Sequence, residues 1–580
     1  FPKSLHYLYF SLSFCNIFLH IAFFFLKKYS IFFKKLLTYM LKCAAVFADK
    51  DQQKRPFCLR RIFTLSLLKQ KEVTFMFKPE LWQSHNEYRT LVTKIGRRLS
   101  RNNPKYSFDS YEEEYQKLLN LNLDPLARFI PDFYSNGGRP ATHQAQILRS
   151  LILFVLLFNE TKAHTSLTLW VRKVLPESIS LTVLIGCAST EELPPLGSYY
   201  DFMNRFWLAP RDSYSRSSLL PAGKNGKKPK KEIGPDGKLT EPEDPSSITT
   251  RDIVNSILDG KPASENPELA LQKIFSILAV FPSLRLGLVD SHDLTVSGDG
   301  TAVVSHASPY GRHLPTCGQS CPYRGTCGRH YSDPDAGWGW DSDKKTWYFG
   351  HTLYMLCTRN NTLKIDLPLL MKFTDAKRHD SKNFLYAIDD FGRNTLGLSP
   401  KNICLDSAHD NIPTYELLER WDMNALIDLN GRTKASENTP KDITFNKEGH
   451  PICRAGHEMC SWGNDPVKDA RKYRCPLKCD RIKECPYAAE CSPGSYGRTV
   501  YIKNKGDLRF QPRIPRDSQQ YKDIYKERTA CERVNDRVLN DYCLQSLKIR
   551  GRDHFSFWSM LIGICIHLDA RYKAAHLYDA

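Results

Sequence analysis

One strand–helix–strand segment, residues 401–430, constrains the fold of this chain more than any other stretch. KNICLD (401–406) is a short apolar strand, the helical segment IPTYELLERW follows it, and NALIDLN (424–430) is a second apolar strand. Strands joined by a helical crossover lie parallel in one sheet, with the helix packed on its face. The segment therefore predicts an α/β protein.

Two further segments predict more strands of the same sheet. LTVSGDGTAVVS (294–305) is a predicted strand interrupted by a Gly-Asp-Gly corner. TWYFGHTLYMLCT (346–358) and TLKIDLPLLMKFTDA (362–376) predict a hairpin that turns at residues 359–361. An antiparallel hairpin beside a parallel pair makes the predicted central sheet a mixed one.

Upstream of these strands, apolar residues recur with helical spacing. Residues 79–125 are amphipathic, and GGRPATHQAQILRSLILFVLLF (137–158) combines a turn, a predicted helix cap at Thr142 and a strongly apolar helix. Residues 222–247, rich in Gly, Pro, Lys and Glu, predict a flexible basic linker. Further helices are predicted at 164–174, 190–208 and 250–280.

The first 75 residues differ in composition from the rest of the chain. The run YLYFSLSFCNIFLHIAFFFL (7–26) is long enough to span a bilayer, so a membrane helix is one interpretation. However, the aromatic and lysine bias of this region is what AT-rich non-coding DNA gives on translation. A bacterial ribosome-binding sequence can encode KEV (71–73), and Met76 follows. We expect the protein to start at Met76, with residues 1–75 as upstream read-through, which N-terminal sequencing tests.

The chain is strongly basic, and its cysteine content points to a reducing compartment. Lysine and arginine outnumber aspartate and glutamate by 82 to 63, which gives a net charge of +19. This balance favours a polyanionic partner, nucleic acid before a membrane surface. A chain of this size does not need its 18 cysteines as disulfide staples, and their spacing suggests metal ligands. A cytoplasmic protein without a membrane partner is therefore expected.

Three acidic residues stand out as candidate catalytic groups. Asp299 lies between glycines and Asp406 ends an apolar strand, and the carboxyl edge of an α/β sheet is where such folds present reactive groups. In the segment YKERTACERVNDR, Tyr525, Arg528 and Glu532 share one helical stripe about 60° wide. Each acid also has a plainer interpretation. Asp299 would sit in a glycine turn, Asp406 would cap a helix, and Glu532 would form a surface ion pair with Arg528.

Three carboxylates at one site repel each other unless cations lie among them. Mg²⁺ or Mn²⁺ takes oxygen ligands and keeps positions open for a substrate phosphate. Two such ions about 3.5–4 Å apart support phosphodiester cleavage. Asp299, Asp406 and Glu532 are therefore the predicted ligands, with Arg528 placed to bind a phosphate and Tyr525 beside it.

In this order, the motifs resemble those of bacterial insertion-sequence transposases of the DDE superfamily. The subgroup with a Tyr-x2-Arg-x3-Glu helix is matched by Tyr525, Arg528 and Glu532. Its Asp-Gly-Thr motif is matched at Asp299, and its Asp-x-Ala/Gly-Tyr/His-Asp run is matched from Asp406 onwards. The apolar helix near the Gly-Arg-Pro turn resembles the N-terminal domain common in such transposases.

One position departs from the signature of that subgroup. Where the subgroup has a lysine after the glutamate, this chain has Leu539, and Arg537 is the nearest base. Arg537 is therefore the substitute DNA contact, beside Tyr525 and Arg528. The departure affects this contact and leaves the predicted metal ligands unchanged.

The resemblance implies both a fold and an activity. The fold is an RNase H-like mixed central sheet with helices, preceded by an α-helical N-terminal domain and interrupted by cysteine-rich insertions. The activity is cleavage at the ends of an insertion sequence and transfer of the freed 3′-hydroxyl into target DNA, with two Mg²⁺ or Mn²⁺ ions. The implied partners are the terminal inverted repeats, target DNA and a second copy of the chain, in a nucleoid-associated complex. The alternatives are an RNase H-like nuclease without strand transfer and a DNA-binding regulator derived from a transposase.

A repeated cysteine spacing predicts metal sites outside the catalytic centre. CGQSCPYRGTC and CPLKCDRIKEC share the pattern C-x3-C-x5-C. Four thiolates suit a structural Zn²⁺, an iron–sulfur cluster is a competing occupant, and one site shared by both segments is another alternative. Cys453, Cys460 and His457 are either further ligands or core residues. The predicted zinc ligands are Cys475, Cys479, Cys485 and Cys491 in one site, and Cys317, Cys321, Cys327 and His330 in the other.

These features divide the chain into six predicted segments. They are residues 1–75, upstream read-through or a hydrophobic segment; 76–221, the helical DNA-binding domain; 222–249, the basic linker; 250–430, the first part of the catalytic domain with a cysteine-rich insertion at 312–340; 431–515, a second cysteine-rich insertion; and 516–580, the C-terminal catalytic part with the glutamate helix.

Overall fold

A computed structural model describes residues 77–577 except for several internal segments. These are 103–107, 135–139, 159–165, 210–231, 234–238, 241–247, 264–265, 311, 314–328, 343, 396, 432–440, 447, 504–507 and 511. The predictions for residues 1–75 and for the cysteines at 317–327 lie outside the described residues, as does the side chain of His330.

The predicted α/β class is confirmed by a mixed sheet of six strands. Across the sheet the order is β6–β5–β1–β3, and β2 and β4 both pair with the far edge of β3. β5 is parallel to β1 and β6, whereas β3 is antiparallel to its neighbours. This is an RNase H-like arrangement. The strands are β1 (Thr295–Val304), β2 (Gly337–Asp341), β3 (Thr346–Asn360), β4 (Ile365–Asp375), β5 (Asn402–Leu405) and β6 (Asn424–Ile427).

Helices precede the sheet, cross over between its strands and follow it. Shorter turns at Leu167–Leu169 and Leu175–Glu177 flank a π turn at Trp170–Val174. The other helices are α1 (His85–Asn102), α2 (Glu112–Leu119), α3 (Gln144–Leu157), α4 (Ile179–Leu184), α5 (Leu196–Arg205), α6 (Thr250–Leu258), α7 (Leu269–Phe275), α8 (Phe281–Arg285), α9 (Asp380–Asn394), α10 (Ile412–Arg420), α11 (Gln519–Tyr525), α12 (Ala530–Asp536) and α13 (Arg552–Leu577).

The strand–helix–strand segment folds as predicted, with α10 connecting the parallel strands β5 and β6. The hairpin is also confirmed, because β3 and β4 pair along residues 351–360. The predicted corner at Gly298-Asp299-Gly300 is wrong. β1 continues through it, and Asp299 pairs with Met355 of β3, so the two glycines that flank Asp299 do not interrupt a strand whose pairing with β3 continues from Ser297 to Val304.

The start of α3 differs from the prediction. Its cap residue is His143, whose backbone is left-handed at φ 61°, and the His143 side chain makes no capping hydrogen bond. The predicted cap at Thr142 is therefore wrong. The Thr142 carbonyl instead accepts a hydrogen bond of 2.9 Å from the side chain of Gln144.

One apolar core joins the N-terminal helices to the central sheet, and α13 runs through it. Trp558 packs against Phe154 of α3, with ring centroids 5.4 Å apart. Gly563 lets α13 approach its neighbours closely, because a Cβ there would lie 2.7 Å from the Phe275 ring and 2.9 Å from the sulfur of Met371. No helix in the described part of the chain is long and apolar enough to cross a membrane.

The predicted second insertion contains a small antiparallel sheet. Its strands are β7 (Cys460–Asp465), β8 (Ala470–Arg474) and β9 (Thr499–Lys503), in that order across the sheet. A separate apolar cluster of Ile443, Met459, Tyr473 and Val500 lies on one side of it. Two-residue strands pair at Thr444–Phe445 and Pro451–Ile452, and short turns follow β8 at Pro476–Cys479 and Ala488–Cys491.

The segment that carries the predicted glutamate changes its winding. α11 passes into a 3₁₀ turn at Lys526–Thr529, after which α12 begins. A 3₁₀ turn has 3.0 residues per turn instead of 3.6, so the stripe predicted for a regular helix is displaced along this segment.

Candidate active site

Asp299 and Asp406 meet at the junction of β1 and β5. The parallel pairing of these strands ends at Ser297 and Cys404, two residues before each aspartate. Both side chains therefore lie just beyond the paired region, at the same edge of the sheet. One carboxylate oxygen of Asp299 accepts a hydrogen bond of 2.9 Å from the backbone N–H of Gly300. The strand topology thus brings the first two predicted acids together.

A buried histidine holds Asp406 in place. Nδ1 of His409 lies 2.6 Å from the carboxylate of Asp406, and Nε2 lies 2.9 Å from the hydroxyl of Tyr354. An ionised carboxylate only accepts hydrogen bonds, so Nδ1 carries the proton and the phenol donates to Nε2. Although burial opposes it, the hydrogen bond from His409 lowers the pKa of Asp406, so this carboxylate is ionised at neutral pH.

Asp299 has the opposite electrostatic character. Burial, followed by the nearby carboxylates of Asp380 and Asp406, raises its pKa to about 7. Such a group exchanges its proton for a cation readily near neutral pH, because the ionised form is repelled by its neighbours.

Asp380 is a fourth carboxylate that the sequence analysis missed. It is the first residue of α9, and its Oδ1 lies over Gly300, where a Cβ would be only 2.5 Å away. An aspartate in the first turn of a helix ordinarily indicates a favourable helix-dipole interaction. The sequence pattern around Asp380 therefore did not mark it as a site residue. The glycine that follows Asp299 was the available clue, because it leaves room for a group at this edge.

The third predicted acid, Glu532, lies beyond an arginine. Nη2 of Arg528 is 2.7 Å from the Glu532 carboxylate, which is half exposed. Arg528 also interacts electrostatically with Asp299 and Asp406, so its positive charge acts on the two aspartates as well as on the glutamate. The surface ion pair considered from the sequence is therefore present, and it borders the aspartate site.

The two other predicted DNA contacts have partners within the chain. The Tyr525 hydroxyl donates a hydrogen bond of 3.0 Å to the carbonyl of Leu405, the residue before Asp406. The guanidinium of Arg537 lies 2.8 Å from the carboxylate of Asp569 on α13. Tyr525 therefore ties α11 to β5, and DNA binding by either residue stays a prediction.

The donor set fits a hard divalent cation in its chemistry. Oxygen ligands converge at the sheet edge, and their mutual repulsion is what a bound cation relieves. In the described residues, however, no three His, Cys, Asp or Glu side chains are arranged to hold one ion. Glu532 would have to leave Arg528 to join Asp299 and Asp406.

The cysteines of the second insertion form a different grouping from the predicted one. Three of the predicted ligands, Cys475, Cys485 and Cys491, line a small cavity together with Cys453. The fourth, Cys479, is hydrogen-bonded to Cys460, and burial and this neighbour raise the pKa of Cys460 to about 11. Zinc binding at Cys475, Cys479, Cys485 and Cys491 stays a prediction.

Comparison with known protein families agrees with this geometry. Residues 282–568 match the family described as Transposase DDE domain. The matched range contains β1, β5 and α12, and with them all three predicted catalytic carboxylates. No curated protein matches the chain. On this match over the whole central sheet, the chain belongs to the DDE transposases.

Proposed function

We propose that the chain cleaves DNA at the ends of an insertion sequence and joins the freed 3′-hydroxyl to target DNA. The observation that carries the proposal is the meeting of Asp299 and Asp406 beyond adjacent parallel strands, inside a transposase DDE domain. Two Mg²⁺ or Mn²⁺ ions would activate the attacking oxygen and stabilise the leaving one when bound.

Each residue then has a separate part in the reaction. Asp299, Asp406 and Glu532 would hold the ions, and Asp380 lies close enough to Asp299 to join them. With Glu532 among the ion ligands, the guanidinium of Arg528 would lose its 2.7 Å ion pair and would be free to bind the scissile phosphate. His409 keeps Asp406 ionised and oriented throughout.

The experiment incubates the protein with Mg²⁺, DNA carrying the element ends, and a supercoiled target. We expect cut ends and joined products, and we expect Asp299→Asn to abolish both while end binding persists. Cutting without joined products would support the nuclease alternative. End binding without cutting by the unmodified chain would support the regulator alternative. Retained cleavage in Asp299→Asn would remove this residue from the site.

Partners and further metals belong to the same proposal. Cleaving two ends in one complex calls for two active sites, so we propose a homodimer on DNA in the bacterial nucleoid, with residues 76–221 contacting the terminal repeats. We also propose that the cysteine-rich insertion at 431–515 holds a structural Zn²⁺. Light scattering with and without paired ends tests the dimer, and elemental analysis tests the zinc.

A further inference from the structure

The small sheet of the second insertion has two unlike faces. Tyr473 and Val500 point to the apolar cluster on one side. In β8 and β9, Lys472 pairs with Tyr501, and Ala470 pairs with Lys503. Because side chains alternate along a strand, these residues point to the other side. We call this side the basic–aromatic face, formed by Trp462, Lys468, Lys472, Tyr496, Tyr501 and Lys503.

Two aromatic rings of this face are held rigidly while remaining open to solvent. The guanidinium carbon of Arg474 lies 4.0 Å from the ring centroid of Trp462 and 3.9 Å from that of Tyr496. Arg474 is itself buried, and it donates hydrogen bonds of 2.7 and 3.0 Å to the carbonyl of Tyr496. Trp462 and Tyr496 are nevertheless 48% and 45% exposed. Arg474 therefore orders the rings before any partner arrives.

Lysines surround the rings and bond to neutral groups. Nζ of Lys472 donates a hydrogen bond of 2.7 Å to the Tyr496 hydroxyl, and Nζ of Lys503 donates one of 2.9 Å to the carbonyl of Lys468. Nζ of Lys468 lies 3.6 Å from the ring centroid of Tyr501. None of these hydrogen-bond and ring partners carries a negative charge. The carboxylate of Asp465 contributes to the raised pKa of Lys472, but only after the Tyr496 and Tyr501 hydroxyls, so most of the positive charge of the three lysines remains available to an anion.

Ordered aromatic rings beside lysines match the chemistry of a nucleic-acid strand with unpaired bases. Bases stack on exposed rings, and lysines contact the phosphates that connect those bases. A paired duplex presents its phosphates but keeps its base faces covered. Its phosphates would contact the lysines, but its bases would not stack on the aromatic rings. We propose that the basic–aromatic face binds single-stranded DNA, such as a strand exposed at a cleaved end. The proposal rests on the proposed function for the source of that strand, although binding itself does not require cleavage.

The test measures binding of a fluorescent 20-nucleotide thymidine strand, and of a duplex of equal length, to the full chain in buffer without chelator and without added Mg²⁺ or Mn²⁺. We expect Trp462→Ala to weaken binding of the strand by about five- to 150-fold and to leave duplex binding nearly unchanged. Trp462→Phe should restore much of the loss, because it keeps a stacking surface. Trp340→Ala is the matched control, since Trp340 is 51% exposed on β2 and should leave strand binding unchanged.

Salt dependence separates the lysines from the rings. Lys472→Gln should reduce the slope of log affinity against log salt for the strand by about 0.7, whereas Trp462→Ala should leave that slope unchanged. Lys261→Gln removes an exposed lysine elsewhere and is the control for charge alone. Unchanged strand binding in Trp462→Ala, an equal loss in Trp340→Ala, or an equal loss on the duplex would each overturn the proposal.

The outcome is independent of the catalytic proposal. Asp299→Asn should bind the strand as the unmodified chain does. A chain that binds the strand through Trp462 but never cleaves element ends would refute the proposed function and keep this inference. Melting temperatures of the Trp462 and Lys472 variants check their folding. Were Trp462→Ala to unfold, the salt slope of Lys472→Gln and the affinity of Trp462→Phe would still decide the question.

Discussion

At the scale of single residues, the pair formed by His409 and Tyr354 determines how Asp406 is presented. His409 is fully buried, and Tyr354 is also fully buried, so burial keeps its pKa high and its hydroxyl protonated. The orientation of one Asp406 oxygen is thereby set, and the other remains available to a cation. Groups that orient a metal ligand typically contribute tenfold to 100-fold in metal affinity or activity.

We therefore expect His409→Ala to raise the Mg²⁺ concentration for half-maximal cleavage by about tenfold to 100-fold. Tyr354→Phe should produce a smaller rise in this Mg²⁺ concentration. The His409 imidazole stays in place but loses the hydroxyl that donates a hydrogen bond to its Nε2. His409→Gln should recover part of the effect by donating to Asp406. Titrating cleavage with Mg²⁺ measures this, and a fall in maximal rate at unchanged Mg²⁺ dependence would contradict a positioning role.

A second prediction concerns pH. The folded protein holds the Asp299 proton more tightly than the unfolded chain does, since its pKa is raised to about 7 from an ordinary 3.8. Its contribution to stability is complete below about pH 4 and is lost as pH rises through about 7. The unmodified metal-free protein should therefore lose roughly 2–4 kcal/mol of unfolding free energy between pH 5 and pH 8 through Asp299. Asp299→Asn should not show this loss, so the variant gains stability relative to the unmodified protein as the pH rises.

Urea unfolding in EDTA at the two pH values measures this difference. Asp259→Asn, at an exposed carboxylate, controls for the loss of one negative charge. If the free energy of unfolding changed with pH in the same way for the unmodified protein and for Asp299→Asn, the prediction would be contradicted.

That Asp299 and Asp406 lie at one edge of the sheet could be predicted from the sequence, because each belongs to a short motif within or at the end of an apolar strand. Asp380 could not, since its approach to Asp299 depends on how α9 packs against β1. The ion pair between Arg528 and Glu532 was foreseen from their spacing on a helix. Its place beside the aspartates follows from tertiary contacts that no local pattern encodes.

At the scale of elements, local patterns predicted the strands better than the helix ends. β5, α10 and β6 follow from apolar runs and a crossover that allows one pairing direction. The cap of α3 and the 3₁₀ turn before α12 depend on backbone angles at single residues, which composition does not determine. The predicted helix at 250–280 divides at Gly260, where φ is 81°, into α6 and α7.

The cysteine-rich insertion gives a prediction at this scale. If Cys453 and not Cys479 completes the site with Cys475, Cys485 and Cys491, Cys453→Ser should release zinc and expose residues 470–495 to proteolysis. Cys479→Ser should retain both metal and protection. Elemental analysis and limited proteolysis measure the two properties.

If Cys479→Ser released zinc and Cys453→Ser retained it, the ligands would be those predicted from the sequence spacing, with Cys479 and not Cys453. A brown protein containing iron and sulfide would instead indicate a cluster. Metal-free protein that resists proteolysis would contradict both.

At the scale of the whole molecule, the helical N-terminal part and the catalytic sheet share one core. The sequence predicted residues 76–221 and 250–430 as separate segments, because a polar linker lies between them. It did not predict that α13, at the far end of the chain, packs against both α3 and β4. Contacts between segments so distant in sequence have no local signature.

This shared core predicts that the two parts unfold together. Leu561 on α13 is fully buried, and Leu561→Ala should cost about 2–5 kcal/mol by leaving a cavity. Because α13 packs against both parts, backbone amides in α3 and in β4 should lose hydrogen-exchange protection to a similar extent. Val467→Ala, at a side chain 93% exposed, is the control and should change neither. Loss of protection in the N-terminal helices alone would mean that they fold independently, and recognition of DNA ends could then be separated from catalysis by truncation. Joint loss would mean that the helices and the catalytic sheet cannot be divided without unfolding both.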